Sequence, residues 1–313
     1  MTTILVTGAN GFIGSQLCPY LVDQGYRVRA AMRRRQPEWK VCEQFAVGEI
    51  SADSDWRQAL QGVETVIHLA GRAHVMRERT DNPLELFRQV NVEGSLQLAK
   101  QAKLAGVKRF IFLSSIKVNG ECSYGKPFAA DDPVKPEDAY GQSKWEAEQA
   151  LSESLAESDT ALVIVRPVLV YGPGVKGNLR SLASWIRKGV PLPLAGVENR
   201  RSLVGIDNLL DFLHLCIEHP AAAGERFLVA DGEDLSTPQL IRMLATAMGV
   251  KARLFPLPDL ILHLLGVLSG QSAAIERLCG DLQVDIEKNR RLLEWMPKRS
   301  VEAALRDMIE RMR

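Results

Sequence analysis

The stretch ILVTGANGFIG, residues 4–14, sets Gly8, Gly11 and Gly14 behind a short aliphatic run and ahead of a helical pattern. Glycine meets three demands at such a junction: a tight turn, close approach of the backbone to a pyrophosphate, and close contact between helix and strand. A pyrophosphate there lies against the unpaired N–H groups at the positive end of the helix. The spacing is GxxGxxG rather than GxGxxG, so the glycines alone carry little. Their place between a first strand and a first helix carries the reading. Phe12 and Ile13 belong to the same loop. Pro19 falls inside the helix that follows, where a kink is expected and no functional role is visible.

Working outward, short apolar runs alternate with longer amphipathic ones. Strands are expected at 4–8, 27–32, 42–48, 64–71, 108–115 and 161–167, and helices at 56–62, 92–106 and from Tyr140 to about Glu157. Strands alternating with helices predict a Rossmann-type α/β fold, a doubly wound parallel sheet covered on both faces, whose strands read as continuous apolar runs. After Pro167 the rhythm changes: YGPGVKGN (171–178) and GVPLPLAG (189–196) read as loops, RFLVAD (226–231) as one more strand, and the remainder as mostly helical. The expectation is a dinucleotide-binding domain over 1–170, completed by the strand near 226–231, and a smaller substrate-binding part over 171–313.

The chain has 313 residues, with 39 Lys and Arg against 38 Asp and Glu. A nucleic-acid partner normally brings a basic excess, so none is expected. The five cysteines, Cys18, Cys42, Cys122, Cys216 and Cys279, are scattered, with no metal or disulfide framework, which suits a reducing cytoplasm. MTTILVTGAN enters a strand without a basic n-region or cleavage site, so a signal peptide is not expected. LILHLLGVL (260–268) is too short to span a bilayer; it reads as a buried or interfacial helix, with a weak peripheral membrane contact as the alternative.

Tyr140 and Lys144 form a Tyr-x-x-x-Lys, and on a helix these positions share one face. An ammonium near the phenol favours phenolate, lowering a pKa otherwise near 10 and easing proton transfer. Ser115 ends the fifth strand, at the edge of the sheet where ligands bind in such folds, and its hydroxyl can hold a substrate oxygen. Taken with the glycine loop, the three point to catalysis.

One feature departs from the dinucleotide pattern. An acidic residue usually follows the glycines by about 20 positions and binds the adenosine ribose. VRAAMRRRQ (28–36) has none and carries three arginines instead. Arg33 first, and Arg34 second, suit the 2′-phosphate of NADP.

TGANGFIG, HLAG (68–71), NVEG (91–94), SSIKVNG (114–120), YGQSK (140–144) and RPVLVYGPG (166–174) resemble the extended short-chain dehydrogenase/reductases, which include nucleotide-sugar epimerases, dehydratases and reductases. The resemblance runs from residue 3 to about 210, and more loosely to the end. It implies Ser115, Tyr140 and Lys144 as the catalytic triad and Gly8, Gly11 and Gly14 as the phosphate loop. It sets Glu49-Ile50 by the adenine, and Leu69, Ala70 and Gly71 along the cofactor. Asn91 becomes a structural residue near the site, and Pro167 faces the nicotinamide. Asn178 and Arg201 fall on the nucleoside diphosphate of a UDP-sugar, where a guanidinium pairs well with phosphate. Many members dimerise through helices that here correspond to 92–106 and 140–157.

Dehydratases of this kind carry Asp-Glu after the catalytic Ser or Thr; here the pair is Ile116-Lys117, so 4,6-dehydration is not expected. Lys117 either contacts substrate or faces solvent. HLAGRAHVMRE, FRQVNVEG, VPLPL, NRRSLV and DGEDLST look most like a bacterial branch of UDP-4-keto-6-deoxy-N-acetylhexosamine reductases and UDP-glucose 4-epimerase-like proteins that serve surface polysaccharide. With Arg33, the first expectation is an NADPH-dependent C4 ketoreductase. The alternative is a 4-epimerase of UDP-hexoses or UDP-N-acetylhexosamines, or of the same sugar on a lipid diphosphate, holding NAD tightly. A non-enzymatic NADP sensor and a reductase of phenolic ketones are weaker readings: such sensors often lose the Tyr or Lys, and a phenolic ketone has no diphosphate for Asn178 and Arg201.

Overall fold

The computed structural model describes residues 1–73, 82–258, 261, 262, 264 and 272–312. In chain order the first part runs β1 (Thr3–Thr7), α1 (Gly14–Asp23), β2 (Arg27–Met32), β3 (Glu43–Ala46), α2 (Arg57–Leu60), β4 (Thr65–His68), α3 (Pro83–Arg88), α4 (Gly94–Leu104), β5 (Arg109–Leu113), α5 (Ala139–Leu155) and β6 (Ala161–Pro167). Then come β7 (Leu169–Tyr171), α6 (Asn178–Arg187), β8 (Arg201–Gly205), α7 (Ile206–Glu218), β9 (Arg226–Val229), β10 (Asp234–Leu235) and α8 (Thr237–Met248). Helices over Ser272–Cys279, Glu287–Leu293 and Val301–Glu310 follow.

Seven strands form one parallel sheet in the order β3-β2-β1-β4-β5-β6-β9. Their residues alternate between two cores, because successive side chains of a strand point to opposite faces. Ile4, Val6, Ala30, Met32, Ile67, Ile111 and Val163 meet Leu17 and Leu21 of α1 and Phe212 and Leu213 of α7. Leu5, Ala31, Val66, Phe110 and Phe112 meet Leu98 and Ala102 of α4 and Ala147 and Leu151 of α5. With both faces covered, nothing in these strands needs to be polar. Each fully buried Leu contributes about 1.5–3 kcal/mol.

Strand order turns at β1, with β2 and β3 on one side and β4 onward on the other. The crevice above the carboxyl ends of β1 and β4 is where ligands settle in such sheets. A smaller sheet, β10-β8-β7, carries a third core in which Leu179, Leu182 and Ile186 of α6 meet Ile241 and Leu244 of α8 and Leu305 and Met308 near the end of the chain. β9 pairs with β6 in register Ile164↔Arg226 to Pro167↔Val229, so a strand from the later part of the chain closes the first sheet. Helix α1 runs without interruption through Pro19. The stretch 260–268 lies mostly outside the described residues; among those described, no helix is long and apolar enough to cross a membrane.

Candidate active site

The glycine loop is built as closely as its sequence requires. Gly8 has φ +64°, and a Cβ there would lie 2.9 Å from the backbone of Ala70. A Cβ on Gly11 would lie 3.0 Å from the Gly8 carbonyl, and one on Gly14 would run into that carbonyl and sit 2.7 Å from Ala9 Cα. Only glycine leaves this surface open, and the first residues of α1 have no side-chain cap. Such a cradle fits a pyrophosphate.

Beneath the loop runs a buried chain of hydrogen bonds. The Ala70 N–H donates to Thr7 Oγ1 (3.2 Å), and Thr7 Oγ1 lies 2.6 Å from His68 Nδ1. His68 Nε2 lies 2.8 Å from Ser95 Oγ, which itself donates to the Asn91 carbonyl at 2.6 Å. Since Ser95 spends its proton on Asn91, it must accept from His68; the imidazole is therefore neutral, protonated on Nε2 and accepting from Thr7 on Nδ1. Burial holds its pKa down, to about 3, with a smaller push from Lys144.

Asn91 sits in a single π-helical turn, Gln89–Glu93, ahead of α4. Its Oδ1 accepts from the Arg72 N–H (2.8 Å), and its Nδ2 donates to the Arg72 carbonyl (3.1 Å) and to Ser143 Oγ (2.9 Å). Its polar atoms are thus engaged in tying the loop after β4, Leu69–Gly71, to α5. A Cβ on Gly71 would lie 3.0 Å from Asn91 Oδ1 and 3.3 Å from Lys144 Nζ.

Helix α5 presents Tyr140 and Lys144 to the crevice, and Ser115 stands just past the end of β5. Asp138 caps the helix, accepting from the Gly141 N–H at 2.6 Å. A Cβ on Gly141 would be 2.6 Å from the Lys117 carbonyl, so the glycine beside the tyrosine lets α5 press against the turn carrying Ser115. Ser115 caps that turn, its Oγ accepting from the Lys117 N–H at 3.3 Å.

The electrostatics differ from the expectation that Lys144 would lower the tyrosine. Burial pushes Tyr140 up to about 12; a hydrogen bond with Ser115 opposes this and the Asp138 carboxylate adds to it. Lys144 donates to the Leu113 carbonyl at 2.9 Å and lies 4.5 Å from the centre of the Phe112 ring. Its own pKa is lowered to about 8 by burial, with Glu148 working the other way. In this geometry Tyr140 is a phenol, a proton donor.

Lys117 is held at 2.5 Å by both Glu121 and Asp138, so it braces the cap of α5. Ile116 beside it is buried. Arg33 and Glu49 lie at the carboxyl edge of β2 and β3, 3.3 Å apart and mostly exposed, at 72% and 80%. The leading arginine of the basic run thus shares its charge with a carboxylate. Arg34 is exposed next to it. Ile50 lies against Gly94, where a Cβ would collide with it. Pro167 is buried at the end of β6. Asn178 opens α6 on the surface, and Arg201 opens β8, donating to the Gly280 carbonyl at 2.9 Å with its pKa lowered by burial.

One cluster escaped the sequence reading. Glu148 and Arg166, each 1% exposed, form an ion pair directly under the site. Arg166 Nε donates to Glu148 at 2.8 Å and Nη1 to Asn119 Oδ1 at 3.0 Å, while Ser114, next to Ser115, donates to Glu148 at 2.5 Å. Two signals were available: Glu148 continues the i, i+4 face of Tyr140 and Lys144, and Arg166 interrupts the otherwise apolar run ALVIVRP.

Residues 4–230 match the NAD dependent epimerase/dehydratase family. A UDP-glucose 4-epimerase of Vibrio cholerae is 45% identical over 303 residues, covering 96% of this chain and 92% of that one. Among solved structures, a UDP-glucuronic acid 4-epimerase from Bacillus cereus in complex with NAD superposes with TM-score 0.81 at 23% identity, covering 99% of this chain and 96% of that one. A UDP-glucose 4-epimerase from Thermotoga maritima with UDP-glucose gives 0.79 at 24% identity, covering 99% and 98%.

Proposed function

The chain belongs to the NAD dependent epimerase/dehydratase family and is an enzyme of the extended short-chain dehydrogenase/reductase type, and from that premise we propose that it is a nucleotide-sugar 4-epimerase, inverting C4 of a UDP-hexose or UDP-N-acetylhexosamine. The observation that carries this reading is the end-to-end likeness, 45% identical over 303 residues, to an enzyme named for that reaction. The order of preference expected from the arginine run is thereby reversed. A physical reason supports the reversal: Arg33 is paired with Glu49, and a carboxylate at that edge opposes a 2′-phosphate.

The glycine cradle and the loop Leu69–Gly71 would hold the pyrophosphate and ribose of NAD, and Lys144 stands where it can reach the ribose once released from Leu113. A bound nicotinamide supplies a place to store the C4 hydride and return it. The chain's own residues handle the proton. The Tyr140 phenol must first lose its own proton, which Lys144 would favour once beside it. As phenolate it takes the O4 proton while the alcohol is oxidised and gives it back after the keto sugar has turned over, with Ser115 hydrogen-bonding the same oxygen. Hydride and proton both return, so no cofactor is consumed. Ile116 has no proton to give and Lys117 is held by two carboxylates, which argues against loss of water.

The test is direct. The purified protein should carry NAD through chromatography and interconvert C4 epimers of a UDP-sugar with nothing added. Tyr140→Phe should lower turnover by about 10²–10⁴-fold while NAD and the UDP-sugar still bind. Consumption of NADPH with gain of two hydrogens by a UDP-4-keto-6-deoxy sugar, and no interconversion without added cofactor, would establish the reductase instead.

A further inference from the structure

Charge is balanced over the whole chain, but two stretches break the balance. Residues 171–197 hold Lys176, Arg180, Arg187 and Lys188 without an Asp or Glu; residues 235–258 hold Arg242, Lys251 and Arg253, again without one. The fold lays these stretches side by side. Helix α6 lies against α8, and Leu192 bridges Leu254, the Leu192 N–H donating to the Arg253 carbonyl (2.8 Å) and the Phe255 N–H to the Leu192 carbonyl (3.1 Å). The Val190 N–H donates to the Trp185 carbonyl at 3.0 Å, and a Cβ on Gly189 would lie 3.7 Å from the Arg253 guanidinium. Trp185, Val190, Arg253 and Phe255 therefore belong to one surface.

That surface is amphipathic. Of the large apolar side chains that stand in solvent among the described residues, half belong to it or to the segments joined to it: Trp185, Val190, Val250, Phe255, Ile261 and Leu264. Trp185 is 48% exposed although its neighbour Ile186 is buried, so α6 turns an aromatic outward beside Arg187 and Lys188. Arg253 and Phe255, two apart on an extended bridge, point the same way. Among the described residues, Arg187, Lys188, Lys251 and Arg253 form no ion pair, whereas many other surface cations do.

Unpaired cations beside exposed aromatic and aliphatic groups match one kind of partner. Lys and Arg are drawn to anionic lipid headgroups, and Trp and aliphatic side chains settle at the headgroup boundary. A nucleic acid would use the cations but leave Val190, Ile261 and Leu264 in water. We propose that this face, centred on Trp185, Lys188, Arg253 and Phe255, docks on the surface of an anionic lipid bilayer. It lies outside the catalytic crevice and leaves the nature of the sugar open.

Co-sedimentation of the full chain with vesicles tests this without any sugar substrate, so its outcome is independent of the epimerase reading. The protein should bind vesicles of phosphatidylcholine with phosphatidylglycerol, not phosphatidylcholine alone, and should be released by salt. Lys188→Gln with Arg253→Gln should weaken partitioning about 25-fold, at about fivefold per cation. Trp185→Ser with Phe255→Ser should weaken it at least tenfold while NAD retention stays unchanged. No binding to anionic vesicles, or binding by both variants as tight as the parent's, overturns the proposal. So does a parent chain that self-associates through this face and is made monomeric by the serine variant, or duplex DNA binding that needs only the cations.

Discussion

Replacing Glu148 by Leu leaves the Arg166 guanidinium buried without its carboxylate, and replacing Arg166 by Met leaves the carboxylate without its guanidinium. Removing one partner of a fully buried pair costs about 3–5 kcal/mol, because the survivor is an uncompensated charge. With about 2.1 cal/mol/K of unfolding entropy per residue over 313 residues, that is roughly 5–8 °C in Tm for each single variant. The double variant removes both charges and leaves only the Ser114 hydroxyl and the Asn119 amide short of a partner, at about 1–2 kcal/mol each. It should therefore cost about 2–4 kcal/mol, against about 6–10 for the sum of the singles. Urea unfolding of the four proteins measures this coupling. The pH dependence of turnover supplies a second readout with opposite signs. Glu148 holds the Lys144 pKa up against burial, so Glu148→Leu should push it further below about 8 and move the alkaline limb to lower pH. Arg166→Met frees the Glu148 charge and should move that limb to higher pH. Additive stabilities, or limbs shifted in the same direction, would refute an electrostatic support for Lys144 and leave the pair as packing alone.

Further outcomes follow from neighbouring residues. His68 is neutral in the fold at a pKa of about 3 and ordinarily 6.5, so the unfolded chain binds the extra proton between these values. Stability should thus fall on acidification from pH 6.5 towards 3, with His68 contributing about 1.4 kcal/mol per pH unit to the slope in urea titrations. A His68→Gln variant should show a flatter slope, and an unchanged slope would place the acid sensitivity elsewhere. Gly14→Ala puts a methyl into the Gly8 carbonyl and should abolish retention of NAD, read by absorbance of the purified protein, while Gly25→Ala, on an open turn, keeps it. Lys117→Met removes the ammonium facing Asp138; the freed carboxylate should raise the Tyr140 pKa further and slow proton transfer, with turnover falling more than substrate affinity.

The parts of the molecule readable from sequence are those where one local rule suffices. A strand buried on both faces needs few polar residues, so β1, β5 and β6 stand out as largely apolar runs, and the glycine loop announces itself because no other residue fits. The lobe after Pro167 is harder: β7 and β10 are short, and β8 begins with a partly buried arginine, so nothing local separates them from loops. The site divides the same way. Tyr140 and Lys144 are legible from their spacing and Ser115 from its place at a strand end, whereas the Thr7–His68–Ser95 chain joins residues 61 and 27 positions apart, and the Glu148–Arg166 pair spans 18. The arginine run placed cations after β2 but gave no sign that Glu49, 16 residues on, would pair with Arg33.

The pairing of β6 with β9 bears on how the chain is made. β6 ends at Pro167 and β9 begins at Arg226, so about sixty residues must leave the ribosome between them. At about 5–20 residues per second that interval is roughly 3–12 s, during which six strands can assemble while the far side of β6 waits unpaired. An aliphatic strand of this kind is a ready template for another nascent chain. Synthesis therefore has a vulnerable period set by the connectivity of the sheet, and chaperone engagement should be strongest after β6 emerges and decline once β9 is free of the exit tunnel.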